Sequence, residues 1–269
     1  VRIPMKSHGN RLAARTAIAA LFALSAAGGN LAAAGETVRI ANDTVVREVQ
    51  DLRPGKDKAV TKRRFDVVTL ENRYLKVIVC PALGERILNV VDKTTGRTVF
   101  YEGLIRYSGS ALDEGGGSGG GLQINHPFYH AGSSYVAPLP YQAANLPDGT
   151  AQFTLAYTSY PHLQRTVWRI SLRPDEAVIR LAYRFENLAP YPMGFNPWIN
   201  AACRTGEKVQ FTLPAEWTAD HWFGINAKEQ ENGRYFRLAP WPLDADGRDR
   251  SYLPKAGMLT AFAYGVTEG

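Results

Sequence analysis

The sequence has little of what marks the common enzyme classes. Its 269 residues include two cysteines, three methionines and five histidines. It has no Cys-x-x-Cys pair, no closed zinc pattern, no P-loop, no dinucleotide-binding glycine pattern and no Gly-x-Ser-x-Gly elbow. These absences exclude the motif-defined nucleotide-binding, zinc-finger and α/β-hydrolase classes, and we expect neither a cofactor nor a metal.

Long apolar runs are also scarce. The clearest one, Ala17–Ala27, follows a basic start with Lys6 and Arg11 and precedes the small residues Ala32–Ala34. This order is typical of a secretory signal peptide. The run is shorter than the roughly 20 residues that span a bilayer, so a retained anchor is the weaker alternative. We predict a signal peptide at 1–34 and a periplasmic or secreted protein without a membrane anchor.

The charge balance argues against a nucleic-acid partner. Removing residues 1–34 takes four of the 31 basic residues and none of the 25 acidic ones. The remaining chain is therefore close to neutral, although the full sequence has a pI of about 9.3. No basic stripe of the kind that binds nucleic acid is present.

The two cysteines, Cys80 and Cys203, lie in strand-like runs. We expect them to be separate buried thiols that pack as small apolar residues. A single disulfide is the alternative, because an exported protein meets an oxidising compartment.

Hydrophobic alternation predicts a chain made almost entirely of strands. Residues 35–64 are polar and basic, and we interpret them as an N-terminal extension with short strands at Thr37–Ile40 and Val45–Val49. From residue 65 to 269, short strands alternate with polar turns, and no segment shows a long helical period. This pattern predicts an all-β, antiparallel sandwich. Because the chain stops soon after the strand-like segment 258–266, we expect a C-terminal truncation.

The clearest local prediction is a long antiparallel hairpin. Leu163–Leu172 and Ala177–Glu186 both alternate, and Arg173–Glu176 forms the turn between them. One face of the hairpin is apolar and the other carries arginines, so the apolar face should pack on a second sheet.

The densest group of chemically useful side chains follows a glycine-rich run at 114–121. It spans Gln123–His130 and includes Asn125, His126 and His130. Amides and imidazoles can bind sugar hydroxyls, and a histidine can act as acid or base near neutral pH. The alternative is a surface loop whose histidines cap turns. A helical metal pair is not supported, because Pro127 separates the two histidines.

Two further residues are candidates for sugar contacts. Arg86 begins a predicted strand and could hold a sugar oxygen or carboxylate, although a surface strand arginine is the alternative. His221 lies between Asp220 and Trp222 in a long loop, where a partly buried structural histidine is the alternative.

Several motifs together resemble the galactose-mutarotase-like supersandwich domains, in particular an uncharacterised bacterial branch. The resemblance covers roughly residues 65–225. The matching segments are Leu70–Leu75 (LENRYL), Pro81–Ile87 (PALGERI), Asp92–Gly96 (DKTTG), 119–127 (GGGLQINHP) and 197–202 (PWINAA).

The resemblance implies a carbohydrate-binding supersandwich that takes a mono- or oligosaccharide. In aldose epimerases of this fold, a histidine is the general acid and a glutamate near the C-terminus is the general base. Gln123 stands where the branch has glutamate, and Glu85 stands where it has glycine. His126 and His130, already singled out in the polar segment, are the catalytic candidates. The substrate-binding candidates are Arg86, Gln123, Asn125, Trp198, Asn200 and His221.

Three functions remain open at this point. The first is an enzyme of the aldose-epimerase type, or an accessory domain of a polysaccharide hydrolase or lyase system. The second is a non-catalytic glycan-binding module. The third is a structural envelope protein without a ligand.

Overall fold

The computed structural model describes residues 36–53, 55–107, 119–125, 127–128, 131–132, 138–159, 163–194, 198–204, 209–213, 215–220, 238–243, 246–252 and 261–266. The predicted signal peptide lies outside these residues, so its removal stays a prediction. Strands dominate the described part, as the alternation predicts.

The strands are β1 (Arg39–Asp51), β2 (Val60–Glu71), β3 (Leu75–Val79), β4 (Arg86–Asp92), β5 (Arg97–Thr98), β6 (Ile105–Tyr107), β7 (Leu122–Asn125), β8 (Pro127–Phe128), β9 (Ala131–Gly132), β10 (Tyr141–Asn145), β11 (Ala151–Ser159), β12 (Gln164–Leu172), β13 (Ile179–Asn187), β14 (Trp198–Ala201), β15 (Ala215–Asp220), β16 (Leu238–Pro240) and β17 (Ala261–Val266). A short 3₁₀ helix, Pro81–Leu83, connects β3 to β4.

The large sheet has eight strands in the order β14-β7-β4-β3-β2-β1-β6, with β5 paired to β4. A second sheet has the order β10-β11-β12-β13. Smaller sheets join β16-β15-β17 and β8-β9. The pairs are antiparallel except for β1 and β6, which are parallel.

The main core lies between the two larger sheets. Val68, Leu70 and Val77 of the large sheet share one cluster with Phe153 and Trp168 of the four-stranded sheet. Burying such side chains supplies roughly 1.5–3 kcal/mol each before entropy is counted. The chain is therefore an all-β, sandwich-like fold, as predicted.

The other face of the large sheet carries a second apolar cluster. Phe65 and Val67 belong to it, whereas their neighbours Val68 and Leu70 face the main core. This switch follows from the two-residue period of a strand. The outer face of the large sheet is thus partly buried, and it also carries the polar groups of the candidate site.

The predicted hairpin is confirmed. β12 and β13 pair from Gln164 opposite Asn187 to Leu172 opposite Ile179. In β12, Thr166, Trp168 and Ile170 are buried, whereas Arg165 and Arg169 are exposed.

The predicted N-terminal extension is corrected by the structure. Residues 39–51 form one strand, paired with β2 in an unbroken register from Arg39 opposite Glu71 to Gln50 opposite Val60. The boundary predicted at residue 65 therefore falls inside β2. The polar composition was misleading because much of β1 is exposed, while Arg47 and Val49 are buried.

One side chain joins the two larger sheets at an end of the sandwich. The Asn72 amide Nδ2 donates to the carbonyl oxygens of Arg173 (2.7 Å) and Glu176 (2.8 Å), in the turn before β13. Its Oδ1 accepts from the backbone N–H groups of Tyr74 and Leu75. All the ordinary hydrogen-bonding capacity of this amide is used.

Both cysteines are free thiols in the structure. Cys80 is buried, as predicted, but Cys203 is exposed, which corrects the expectation of two buried thiols. Burial raises the pKa of the Cys80 thiol to about 11.

We expect one thiol per native chain to react with a small disulfide reagent at pH 8, and two after denaturation. Cys203 should react because it is exposed, while Cys80 is both shielded and protonated. Absorbance titration of the released thiol, with Cys203→Ser as control, measures this. Two fast thiols in the folded chain, or none, would contradict the prediction.

Candidate polar row on the large sheet

Three of the predicted substrate-binding residues form one row across adjacent strands. Arg86 of β4 lies opposite Gln123 of β7, and Gln123 lies opposite Asn200 of β14. Their neighbours Ile87 and Ile124 point into the main core. By alternation, the polar row lies on the outer face of the large sheet. We call Arg86, Gln123 and Asn200 the polar row.

Arg86 fixes the orientation of the Gln123 amide. Its Nη2 donates to Gln123 Oε1, and its Nη1 donates to the carbonyl oxygen of Gly120 at 3.2 Å. Because a guanidinium has donors only, the amide must turn its oxygen towards Arg86 and its NH₂ group away. Arg86 is 3% exposed, so the alternative of a surface strand arginine is wrong.

The polar row leaves two buried amide donors without an acceptor among the described residues. They are Nε2 of Gln123 and Nδ2 of Asn200. Gln123 is 5% exposed, whereas Asn200 is only partly buried. A buried donor without a partner costs about 1–3 kcal/mol, so such groups call for an explanation. The two donors belong to residues at opposite register positions on neighbouring strands.

A turn of three glycines lies next to the polar row and accepts a hydrogen bond from Arg86. Gly119, Gly120 and Gly121 all have positive φ, at +80°, +69° and +77°. A Cβ on Gly120 would collide with the carbonyl oxygen of Tyr101. The glycines thus permit close approach of the chain to its own backbone.

A second buried arginine holds the same turn. Arg47 Nη2 donates to the carbonyl oxygens of Gly103 and Gly119, both at 2.9 Å. Glu102 lies 3.8 Å from Arg47 Nη1 and accepts from Asn89 Nδ2 at 2.6 Å. Sequence reasoning missed Arg47, Asn89 and Glu102. The available signal was Arg47 itself, which stands between Val45 and Val49 on one face of β1.

The remaining candidates are only partly described. Asn125 and Trp198 are register partners at the end of β7 and the start of β14, next to the polar row. Nothing is described of their side chains. His126, His130 and His221 lie outside the described residues, so their catalytic or binding roles stay predictions.

Glu85 precedes Arg86 in the chain, and its side chain lies between the two larger sheets. It is 3% exposed, and the hydroxyl of Tyr183 on β13 lies 2.9 and 3.0 Å from its two carboxylate oxygens. Burial, and then the charge of Glu85, raises the pKa of Tyr183 far above its ordinary value. A tyrosine on the facing sheet thus provides the hydrogen-bond donor for this buried carboxylate.

This pair predicts a loss of stability at alkaline pH. The folded state holds the Tyr183 proton more tightly than the unfolded chain does, so its stabilisation is full below about pH 10 and falls as pH rises above that. Tyr183→Phe should lose stability at pH 7 and show a shallower decline between pH 9 and 11. Urea unfolding at several pH values measures both, with the exposed Tyr191→Phe as control. An unchanged alkaline slope in Tyr183→Phe would contradict this origin.

The described residues show neither a metal site nor a membrane-spanning helix. They contain no group of three or more His, Cys, Asp or Glu side chains placed to hold a metal ion. They also contain no helix long and apolar enough to cross a membrane.

Comparison with known proteins places the fold and the family. A crystal structure of a TPR-domain containing protein from Parabacteroides distasonis is similar, with a TM-score of 0.61 and 16% sequence identity. The similarity covers 79% of this chain but 38% of that one, and at this identity it concerns the fold alone. Residues 54–266 match the family model "Domain of unknown function (DUF5107)". This match covers most of the chain, which therefore belongs to the DUF5107 family.

Proposed function

We propose that this chain is an exported, galactose-mutarotase-like carbohydrate-binding domain that takes a mono- or oligosaccharide at the polar row. The observation that carries the proposal is the pair of buried amide donors, Gln123 Nε2 and Asn200 Nδ2. A sugar hydroxyl or ring oxygen offers acceptors to such donors, and the binding would relieve their burial cost.

The three members of the row have different roles in this proposal. Asn200, on edge strand β14 and partly exposed, makes the outer contact. Gln123 lies deeper and makes the inner contact. Arg86 is a positioning residue, because its guanidinium determines which end of the Gln123 amide is presented.

Asn200→Ala tests the proposal with the least damage to the fold. We expect glycan-array screening to identify a sugar that the wild type binds. Calorimetry should then show about tenfold weaker binding of that sugar to Asn200→Ala, because one buried hydrogen bond is lost. Asn42→Ala, an exposed asparagine on β1 of the same sheet, should bind as the wild type does. If no glycan binds, or if both variants bind equally well, the polar row is not the sugar site.

Catalysis of aldose anomer exchange is a second candidate function. β7 ends at Asn125, so the chain carries His126 to the position directly after the strand of Gln123. The rate of mutarotation of glucose and galactose, followed by polarimetry, tests it. Acceleration that His126→Ala removes would support an enzyme, whereas binding without acceleration supports a glycan-binding module or an accessory domain of a degradative system.

A further inference from the structure

The outer face of the four-stranded sheet carries a set of arginines that the polar row does not use. In β12 and β13, the residues between the core side chains include Arg165, Arg169, Arg180 and Arg184, all exposed. We call these four residues the arginine face. It lies on the opposite side of the sandwich from the polar row, because the main core separates the two sheets.

The strand register brings three of these arginines around one small side chain. Arg169 lies opposite Ala182, and Arg180 and Arg184 stand two residues to either side of Ala182. Diagonal neighbours across strands are roughly 7–8 Å apart at Cα, within reach of long side chains. Like charges at this spacing repel one another to the extent that carboxylates do not neutralise them.

The acidic residues of this surface lie at its ends. Glu186 pairs with Arg165 at 3.1 Å and with Arg184 at 2.7 Å. Glu176, in the turn before β13, pairs with Arg180. Arg169, at the centre, has no ion pair among the described residues. The middle of the arginine face therefore carries the excess positive charge.

The rest of this surface indicates which class of anion fits. The outward residues of β10 to β13 include no aromatic side chain and no apolar side chain larger than valine. The remaining outward residues are Gln142, Ala144, Gln152, Thr154, Ala156, Thr158, Val167 and Ser171. Single-stranded nucleic acids need aromatic platforms, and interfacial membrane binding needs large apolar groups. This surface offers neither.

The arginines are spaced for an extended, hydrated polymer. Arg165 and Arg169, like Arg180 and Arg184, are four residues apart, which is about 13 Å along a strand. Arginine, unlike lysine, presents a planar fork that pairs with two oxygens of one anionic group. We propose that the arginine face binds an acidic polysaccharide, through its carboxylate or sulfate groups.

The test compares two triple variants with the same loss of charge. Arg169→Gln/Arg180→Gln/Arg184→Gln removes the centre of the arginine face. Lys58→Gln/Lys62→Gln/Arg64→Gln removes three exposed cations on or beside β2, in the large sheet. The probes are polygalacturonate for carboxylates, dextran sulfate for sulfates, and neutral dextran, each measured by biolayer interferometry between 50 and 300 mM NaCl.

We expect salt-dependent binding to at least one acidic polymer, no binding to dextran, and at least tenfold weaker binding in the first variant only. Failure of both acidic polymers, or equal weakening of the two variants, would overturn the proposal. So would equally tight, arginine-dependent binding to single-stranded DNA or to vesicles with 30% anionic lipid. Asn200→Ala should bind these polymers as the wild type does, so this result and the test of the polar row are independent.

Discussion

Gly120→Ala should destabilise the fold by about 4 kcal/mol or more, or prevent soluble expression altogether. Gly120 has φ +69°, and an added Cβ would overlap the Tyr101 carbonyl oxygen and approach its carbon to 2.8 Å and the Gly103 nitrogen to 2.9 Å. These three atoms belong to the backbone, so they cannot turn aside as a side chain does. The turn itself would have to move, and with it the carbonyl groups that Arg47 and Arg86 bind.

Gly96→Ala is the matched control for this experiment. Gly96 has nearly the same φ, +70°, but a Cβ there would meet nothing within 4 Å. The free energy of unfolding of Gly96→Ala should fall only by the strain of an alanine with positive φ, about 1–2 kcal/mol. Urea unfolding of both variants separates the collision from the strain. Similar losses in the two variants would show that the turn yields easily, contrary to the structure.

Arg86→Met should cost about 3 kcal/mol, although methionine fills much of the same volume. The change leaves the Gln123 Oε1 and the Gly120 carbonyl oxygen without their buried donor. It also frees the Gln123 amide to turn over, so the sugar binding proposed for the polar row should fall together with stability.

Arg39→Met is the control for this second prediction. The Arg39 side chain is 71% exposed and lies 3.8 Å from Glu71, a weak surface pair. Its replacement should change the free energy of unfolding by less than about 0.5 kcal/mol. A loss below 1 kcal/mol in Arg86→Met would mean that the buried guanidinium does not organise the row.

The local features of the fold could be predicted from the sequence. The hairpin of β12 and β13 was predictable because alternation and a strong turn are properties of adjacent residues. β1 was misjudged because its place depends on β2 and on β6, whose residues Ile105 to Tyr107 come much later in the chain. Its polar residues are typical of a loop unless those partners are known.

The candidate site was predicted in its residues but not in its arrangement. Arg86 and Gln123 were singled out by residue type and by the family resemblance, and Asn200 by the resemblance alone. The row that joins them depends on the register of three strands from distant parts of the chain, which no local pattern encodes. The same holds for the Glu85–Tyr183 pair, because its partners lie on facing sheets.

The Asn72 amide affects how the two larger sheets are held together. Hydrophobic attraction has no preferred direction, so the orientation of two packed sheets depends on how their side chains interdigitate and on the directional contacts between them. Hydrogen bonds are directional, and Asn72 fastens a turn of one sheet to a turn of the other. It therefore restrains relative movement of the two sheets at that end of the sandwich, and two ligands bound on opposite outer surfaces would keep a more constant mutual orientation.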